Sequence, residues 1–291
     1  MRELTVRRGT VRLAARSFGN RGPHVILIHG LASTQHIWDL VVPLLERDFR
    51  VTTYDHRGHG ESSRPSNYSF DEVCDDLAAV ARAVGAKRPL VAGHSYGANV
   101  SIEYADRHPK AVAGVVCVDG GMGSMSEIMS WEEARVAAAP PPLAGVHIDE
   151  ILAMVRRQVG RRWSPKMEHI ARSLFFIDKK GHVKPCLSRA NHMKILRAMY
   201  RQRPKELLAR ITMPTLMYCA RPRRHVTDEE RDFYEMKKRA VAEIRRSNPR
   251  VKIEWVTSIH DIPVDRPTEL AERVKRFALR KVGPRAARRG G

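Results

Sequence analysis

The sequence feature that most constrains the fold is a serine between two glycines, in the motif Gly93-His94-Ser95-Tyr96-Gly97. It follows an apolar run at residues 90–92, typical of a buried β-strand, and precedes a segment compatible with a helix. A serine at such a corner adopts a strained backbone conformation, and the flanking glycines avoid collisions with neighbouring elements. The following helix points its free N–H groups at the same spot, where a tetrahedral oxyanion would form. The motif therefore predicts a strand, a sharp turn with a nucleophilic hydroxyl, and a helix.

Apolar runs and helical patterns alternate along the rest of the chain. Residues 4–18 alternate apolar and charged side chains around Gly9, which predicts a half-exposed antiparallel hairpin. Continuous apolar runs predict strands buried on both faces, at residues 24–28, 51–54, 90–92, 112–118, 214–219 and 251–256. Helical patterns lie between them, at residues 36–47, 70–84, 231–246 and 267–281. We therefore expect an α/β fold in which a mostly parallel, twisted sheet is covered by helices on both faces.

The regular alternation breaks between residues 122 and 205. This segment is rich in methionine, contains a run of three prolines at 140–142, and shows several short helical patterns. We interpret residues 122–205 as a helical cap inserted into a core that is formed by residues 1–121 and 206–281. Residues 282–291 consist largely of glycine, alanine and arginine, and we predict a basic disordered tail there.

The formal net charge of +20 is concentrated in one region of the chain. Residues 151–250 carry 26 basic and 9 acidic side chains, whereas residues 1–150 carry 16 and 18. A strongly basic domain can attract nucleic acid or an anionic surface. However, the sequence has no zinc-finger spacing and no aromatic RNA-binding signature, and its cations are spread over several elements. We predict a solvated, arginine-rich surface without specific nucleic-acid binding, and the charge also raises the hypothesis of an anionic substrate.

The sequence also bears on the compartment. No apolar run approaches the roughly 18 residues that a membrane-spanning helix requires. The first residues lack the charged and then apolar pattern of a secretory signal. We expect a cytoplasmic chain with no membrane span, and the sequence leaves its oligomeric state open.

Three more motifs stand at the ends of predicted strands. They are the His29-Gly30 loop, the glycine-containing turn at residues 55–62, and the late His260. Together with the Ser95 motif, and in this order, they make the chain similar to the α/β-hydrolase fold superfamily over about residues 4–281. The closest resemblance is to its serine-nucleophile branch, which contains esterases, lipases and other acyl hydrolases.

The resemblance implies a role for each of these positions. Ser95 would be the nucleophile, and His260 would be the general base that takes its proton. The oxyanion hole would consist of the main-chain N–H groups of Leu31 and Tyr96. The structural alternative for Ser95 is a serine that caps the helix after it.

The acid of the expected triad departs from the pattern. In many relatives it follows the strand equivalent to residues 214–219 within a few residues, but here no carboxylate occurs before Asp228. Asp119, directly after the preceding predicted strand, is the other candidate and is placed ahead of Asp228, whose ordinary role would be a helix N-cap. A triad without an acid is the third alternative. Asp261 is too close in sequence to bond the ring of its neighbour His260.

No cofactor or metal is implied. The four cysteines are far apart and form no C-x-x-C pair: Cys74, Cys117, Cys186 and Cys219. His29 and His94 lack acidic or thiol partners at ligand spacing in the sequence, so we interpret them as positioning residues.

A serine at the strand–helix corner also limits the chemistry. Epoxide hydrolases and haloalkane dehalogenases of this fold use an aspartate there, because they form an alkyl-ester intermediate. With Ser95 the expected reaction is cleavage of an ester, lactone or related acyl bond of a small-molecule substrate through an acyl-enzyme. Two alternatives stay open: a non-catalytic or very slow ligand-binding protein on a hydrolase scaffold, and a cofactor-free perhydrolase or C–C hydrolase.

Overall fold

The computed structural model describes residues 1–223 and 227–281. The predicted tail, 282–291, and residues 224–226 lie outside the described residues. The strands are β1 (Arg2–Arg8), β2 (Val11–Phe18), β3 (His24–Ile28), β4 (Arg50–Tyr54), β5 (Leu90–His94), β6 (Gly114–Val118), β7 (Phe175–Ile177), β8 (Val183–Pro185), β9 (Thr215–Arg221) and β10 (Val251–Thr257). The α-helices are α1 (Val42–Leu45), α2 (Phe70–Ala83), α3 (Tyr96–Arg107), α4 (Trp131–Ala137), α5 (Ile148–Val159), α6 (Pro165–Arg172), α7 (Arg189–Arg201), α8 (Pro204–Arg210), α9 (Asp228–Ser247), α10 (Ile262–Asp265) and α11 (Pro267–Lys281). Short 3₁₀ helices occur at Gln35–Trp38, Pro109–Ala111, Met125–Glu127 and Gly160–Arg162.

Eight strands form one sheet in the order β1-β2-β4-β3-β5-β6-β9-β10. The pairs β1–β2 and β2–β4 are antiparallel, and every later pair is parallel. Side chains alternate between the two faces of a strand. In β3, Ile26 and Ile28 enter one apolar cluster, whereas Val25 and Leu27 enter another on the opposite face. Both faces are therefore buried, which explains the continuous apolar runs and confirms the predicted mostly parallel sheet.

Helices cover the sheet on both sides. Helices α2, α3 and α9 contribute to the cluster that contains Ile26, and α1 and α11 contribute to the cluster that contains Val25. The Ser69 side chain caps α2 by accepting a hydrogen bond from the Glu72 N–H. Among the described helices, none is both long enough and apolar enough to pass through a membrane.

The predicted helix at residues 36–47 is wrong. The chain instead forms the 3₁₀ turn Gln35–Trp38 and the short helix α1, with Pro43 in the first turn of α1. A proline has no backbone N–H and clashes with the carbonyl four residues before it, so one continuous helix cannot pass through this position.

The segment 122–205, interpreted as a helical cap, contains a short sheet in addition to its helices. Between α6 and α7 it contains an antiparallel hairpin, β7–β8. Phe175, Phe176 and Ile177 are aromatic or β-branched and favour a strand. The turn is made by Asp178, which accepts hydrogen bonds from two following N–H groups, and by Gly181 with a φ of 84°.

Candidate active site

Ser95 lies between β5 and α3 with φ 54° and ψ −120°, a conformation that non-glycine residues rarely adopt. The glycines around it are required by space. A Cβ on Gly93 would lie 2.0 Å from the Gly97 carbonyl oxygen, and one on Gly97 would lie 2.3 Å from the Ile28 carbonyl oxygen. The Ser95 side chain makes no N-cap hydrogen bond to α3. Its hydroxyl is thus not used as a helix cap.

Two other strand ends meet at Ser95. A Cβ on Gly30, after β3, would lie 3.1 Å from the Ser95 Cβ, and one on Gly120, after β6, would lie 2.2 Å from the Ser95 carbonyl oxygen. Leu31 therefore directly follows a residue in contact with Ser95, and Tyr96 is the first residue of α3. The first N–H groups of a helix have no partner within the helix. The structure thus brings both predicted oxyanion residues to the serine.

Buried histidines support the loop that contains Leu31. The His56 N–H donates to His29 Nε2 at 3.0 Å, so the other ring nitrogen, Nδ1, carries the proton and donates to the Gly30 carbonyl at 2.7 Å. The Ala32 N–H donates to His59 Nε2 at 3.2 Å. Burial lowers the pKa of both His29 and His59 to about 3, so both rings are neutral. These histidines hold the loop by hydrogen bonds to its main chain.

His260 and Asp119 are hydrogen-bonded. His260 Nδ1 lies 2.7 Å from Asp119 Oδ2, and the Asp119 side chain is almost fully buried just after β6, with a φ of 44°. Partial desolvation of His260 alone would lower its pKa, but the hydrogen bond to Asp119 and the charge of that carboxylate outweigh this effect and raise the pKa. Asp228 is exposed at the start of α9, where its carboxylate pairs with Arg231. Of the two candidate acids, Asp119 is the one in contact with His260.

His94 connects the serine turn to the His260 loop. Its Nε2 lies 3.1 Å from the His260 carbonyl oxygen and 3.6 Å from Asp261 Oδ1, and the rings of His94 and His260 are 4.9 Å apart. Burial, and then the neighbouring His260, lower the pKa of His94 to about 4. A neutral His94 that donates to the carbonyl fixes the loop of His260 beside Ser95. Among the described residues no hydrogen bond joins Ser95 to His260 directly.

Lys237 is a residue of this site that the sequence did not indicate. Its Nζ lies 2.6 Å from Asp119 Oδ1 and 2.9 Å from the Ala220 carbonyl oxygen, and its side chain is buried. The Ala220 N–H donates to the same Asp119 oxygen at 2.8 Å. Burial favours the protonated acid, but the hydrogen bonds and positive charges of His260 and Lys237 keep the pKa of Asp119 below its usual value. Asp119 is therefore an ionised carboxylate shared by two cations or potential cations.

A hollow of about 980 Å³ adjoins His260 and Asp119. It lies between the end of α5, the end of β9, α9 and α10. Its lining is rich in cations: Arg161, Arg162, Arg223, Lys237 and Arg266. Lys237 pairs with Asp119, and Arg162 pairs with Asp265. Within the described parts of the chain, Arg161 and Arg223 have no carboxylate partner, and the charge of Arg223 contributes to lowering the pKa of Arg162, after burial.

Comparisons with known proteins agree with this architecture. Residues 23–145 match the family model of the alpha/beta hydrolase fold. The crystal structure of E-2-(acetamidomethylene)succinate hydrolase superposes with a TM-score of 0.74 at 22% identity, covering 94% of this chain and 98% of that one. The chain has the α/β-hydrolase fold.

Curated α/β-hydrolase relatives match over part of their length. The 2-(acetamidomethylene)succinate hydrolase of Mesorhizobium japonicum is 31% identical over 131 residues, which are 45% of this chain and 47% of that protein. The fluoroacetate dehalogenase of a Burkholderia species is 34% identical over 107 residues, 35% of each chain. The matches thus span half or less of these relatives.

In this α/β-hydrolase fold the candidate residues follow four neighbouring or nearby parallel strands. Leu31 follows β3, Ser95 follows β5, Asp119 follows β6 and His260 follows β10. The carboxyl ends of parallel strands meet at one edge of the sheet, which is where ligands bind in open α/β sheets. The sequence did not predict Lys237, because it stands beside Lys238 in a charged helix. No sequence pattern there distinguishes a buried lysine from an exposed one.

Proposed function

We propose that this protein is a serine hydrolase that cleaves a carboxylic ester, lactone or related acyl bond through an acyl-enzyme intermediate. The observation that carries the proposal is the 2.7 Å hydrogen bond between His260 and the buried Asp119, formed where two strand-end loops pack against Ser95. This contact fixes the tautomer of the His260 imidazole so that Nε2 is free to act as a base, and the Ser95 hydroxyl is not hydrogen-bonded among the described residues.

The proposed reaction uses the same residues in both half-reactions. His260 Nε2 takes the Ser95 proton while Ser95 Oγ bonds to the acyl carbon, and the N–H groups of Leu31 and Tyr96 bind the oxyanion. As the tetrahedral intermediate collapses, the imidazolium gives its proton to the leaving group. His260 then takes a proton from a water molecule whose oxygen bonds to the acyl carbon. As this second tetrahedral intermediate collapses, the imidazolium returns the proton to Ser95 Oγ, which releases the acid and free Ser95. Asp119 keeps the proton on Nδ1 and stabilises the imidazolium.

Ser95 and Asp119 bear on the alternatives that the sequence left open. A serine ester forms by acyl transfer, so Ser95 favours acyl chemistry over the dehalogenation named for one relative. The idea of a ligand-binding protein without turnover rested on the missing acid, and the Asp119–His260 contact supports catalysis instead. Perhydrolysis and C–C bond hydrolysis would use the same residues, and product analysis distinguishes them.

A substrate that carries a carboxylate or another anion fits the surroundings best. Arg161 and Arg223 line the hollow beside His260 and have no carboxylate partner within the described residues. Two relatives are named for carboxylate compounds, a substituted succinate and fluoroacetate. In this proposal residues 122–205 act as the cap, which supplies Arg161 to the substrate site, and residues 1–121 and 206–281 form the catalytic core.

Catalysis is tested with a chain-length series of p-nitrophenyl esters. Ser95→Ala is expected to abolish turnover, and Asp119→Asn to lower kcat by about 10²–10⁴-fold because the His260 tautomer is no longer fixed. Asp228→Asn is the matched control and should stay within about twofold of wild type, since Asp228 contacts only Arg231 among the charged groups described. A large loss in Asp228→Asn with full activity in Asp119→Asn would refute this assignment.

The anionic substrate is tested separately. A p-nitrophenyl half-ester of a dicarboxylic acid is compared with a neutral ester of equal length, in wild type and in Arg161→Met. The variant should raise KM for the anionic ester by about tenfold, equivalent to ~1.4 kcal/mol, and leave the neutral ester unchanged. Salt should slow the anionic ester more than the neutral one. Equal salt dependence of the two esters would rule out an anionic subsite while leaving the serine mechanism intact.

A further inference from the structure

The short helix α10 connects the loop of His260 to the segment 122–205. It begins at Ile262, two residues after His260, and the Ile262 side chain is buried in the apolar cluster of the core that contains Val25. Val264, on the same helix, packs against that cluster and also against a second one, which buried residues of α5 and α6 form. Helix α10 therefore contacts both the core and the segment, and a change in the position of the segment reaches the residues next to His260.

Asp265, the last residue of α10, closes the loop that carries His260. Its side chain is 2% exposed, and Oδ2 accepts a hydrogen bond from the Ser258 hydroxyl at 2.9 Å. Its main-chain N–H donates to the Asp261 carbonyl at 3.0 Å. Ser258 and Asp261 stand on either side of Ile259 and His260, so one aspartate holds both ends of the loop.

The carboxylate of Asp265 takes its closest cation from the segment 122–205. A buried carboxylate is stable only with opposite charge or hydrogen bonds around it. Arg162, at the end of the 3₁₀ helix Gly160–Arg162, pairs with Asp265 Oδ1. Arg266 Nε lies farther away, 3.4 Å from Oδ2, and donates to the Thr257 carbonyl at 3.0 Å. Among the described residues, Arg162 is thus the charge partner of Asp265 that the segment supplies.

We propose that Asp265 is a positioning residue for His260 and that Arg162 supports it from the segment 122–205. With Arg162 in place, the Asp265 carboxylate is neutralised and stays on the Ser258 hydroxyl, which fixes the loop of His260. Withdrawal of Arg162 leaves a buried negative charge, which is stabilised by water that competes with Ser258 for the carboxylate. The base is therefore aligned when the segment covers the core and excludes water from the site. This inference rests on the proposed role of His260 as general base.

A double-mutant cycle tests the coupling, with kcat and KM measured for a neutral p-nitrophenyl ester. Arg162→Met should lower kcat about tenfold and leave KM within about twofold, because a displaced base reduces the rate more than substrate binding. In the Asp265→Asn background the same substitution should change kcat by less than about twofold, since a neutral amide accepts the Ser258 hydrogen bond without a counter-charge. Arg157→Met is the matched control, because Arg157 is an exposed arginine of α5 that does not line the hollow beside His260.

Ser258→Ala provides a second background in case Asp265→Asn folds poorly. It removes the hydroxyl through which Asp265 acts, so Arg162→Met should again change kcat by less than about twofold. Full kcat in Arg162→Met, or the same tenfold loss in every background, would overturn the proposal.

A wild-type protein that turns over no ester would instead refute the catalytic proposal, and the coupling is then measured by proton NMR. The signal of the His260 Nδ1–H that is bonded to Asp119 should shift or broaden in Arg162→Met. It should return to its wild-type position when Asp265→Asn is added. An identical signal in wild type and Arg162→Met would show that the arginine does not act on His260.

Discussion

At the scale of single residues, Asp119 is shared between His260 and Lys237, and the charges of Asp119 and Lys237 both act on the pKa of His260. Oδ2 faces the imidazole and Oδ1 faces the buried ammonium group. The carboxylate raises the pKa of His260, whereas the positive charge of Lys237 acts in the opposite direction on that imidazole. Lys237 is therefore a positioning residue that acts through Asp119 and keeps the base from being protonated too readily.

Lys237→Met should move the acid limb of the kcat/KM profile to higher pH. Catalysis needs neutral His260, and its pKa rises further once the opposing charge of Lys237 is removed. The measurement is kcat/KM for a neutral ester between pH 5 and 9. Lys238→Met is the matched control, because Lys238 is exposed and pairs with Glu235. An acid limb that moves to lower pH, or does not move, would contradict this role.

At the scale of elements, a buried ion pair joins the turn after β4 to α2. Arg57 donates to both oxygens of Asp76, at 2.6 and 2.8 Å, and both side chains are 1% exposed. Arg57 also donates to Glu72 at 2.7 Å. The turn that carries His56 and His59 is thus fixed to a helix, and through these histidines the pair supports the loop of Leu31.

Asp76→Ala should lower the free energy of unfolding by about 3–5 kcal/mol, because it leaves the Arg57 charge buried with too few partners. Asp75→Ala is the neighbouring control: its carboxylate is 57% exposed and 3.6 Å from Arg8, so the loss should be under about 1 kcal/mol. Urea denaturation at neutral pH measures both. Equal losses of unfolding free energy in the two variants would show that the buried Arg57–Asp76 pair stabilises the fold no more than an exposed pair does.

Local patterns decide which elements can be predicted from the sequence. The β1–β2 hairpin, the buried strands and the Ser95 turn depend on period, glycine position and neighbouring residues, and they are found where predicted. The hairpin β7–β8 and the break before α1 depend on short local signals, the β-favouring residues 175–177 and Pro43, which a helical pattern over a longer window obscures. The partners of Asp119 come from residues more than 100 positions away, so only the folded chain shows that His260 and Lys237 meet there.

At the scale of the whole molecule, buried neutral histidines link stability to pH. His29 and His59 have a pKa of about 3 and His94 of about 4, in each case first because of burial, whereas an unfolded histidine titrates near 6.5. Between pH 6.5 and about 4 the unfolded chain therefore binds more protons at these positions, and stability falls as the pH falls. His260, whose pKa is raised, acts in the opposite direction, but it is a single group against these three and His56, whose pKa burial also lowers.

The free energy of unfolding should thus decrease on acidification from pH 7 to 5, by about 1.4 kcal/mol per pH unit for each neutral histidine below pH 6.5. Urea denaturation at several pH values gives the slope. His59→Gln should make it shallower. Stability that is constant from pH 7 to 5 would contradict the neutral state of these rings.

The central claim is that Ser95 is an activated nucleophile, and covalent labelling tests it most directly. Wild-type protein is incubated with a fluorophosphonate probe, and the modified residue is located by peptide mass spectrometry. One adduct is expected, on Ser95, that is absent in Ser95→Ala and forms far more slowly in Asp119→Asn than in Asp228→Asn. An unlabelled wild-type protein, or an adduct on another residue that persists in Ser95→Ala, would contradict it.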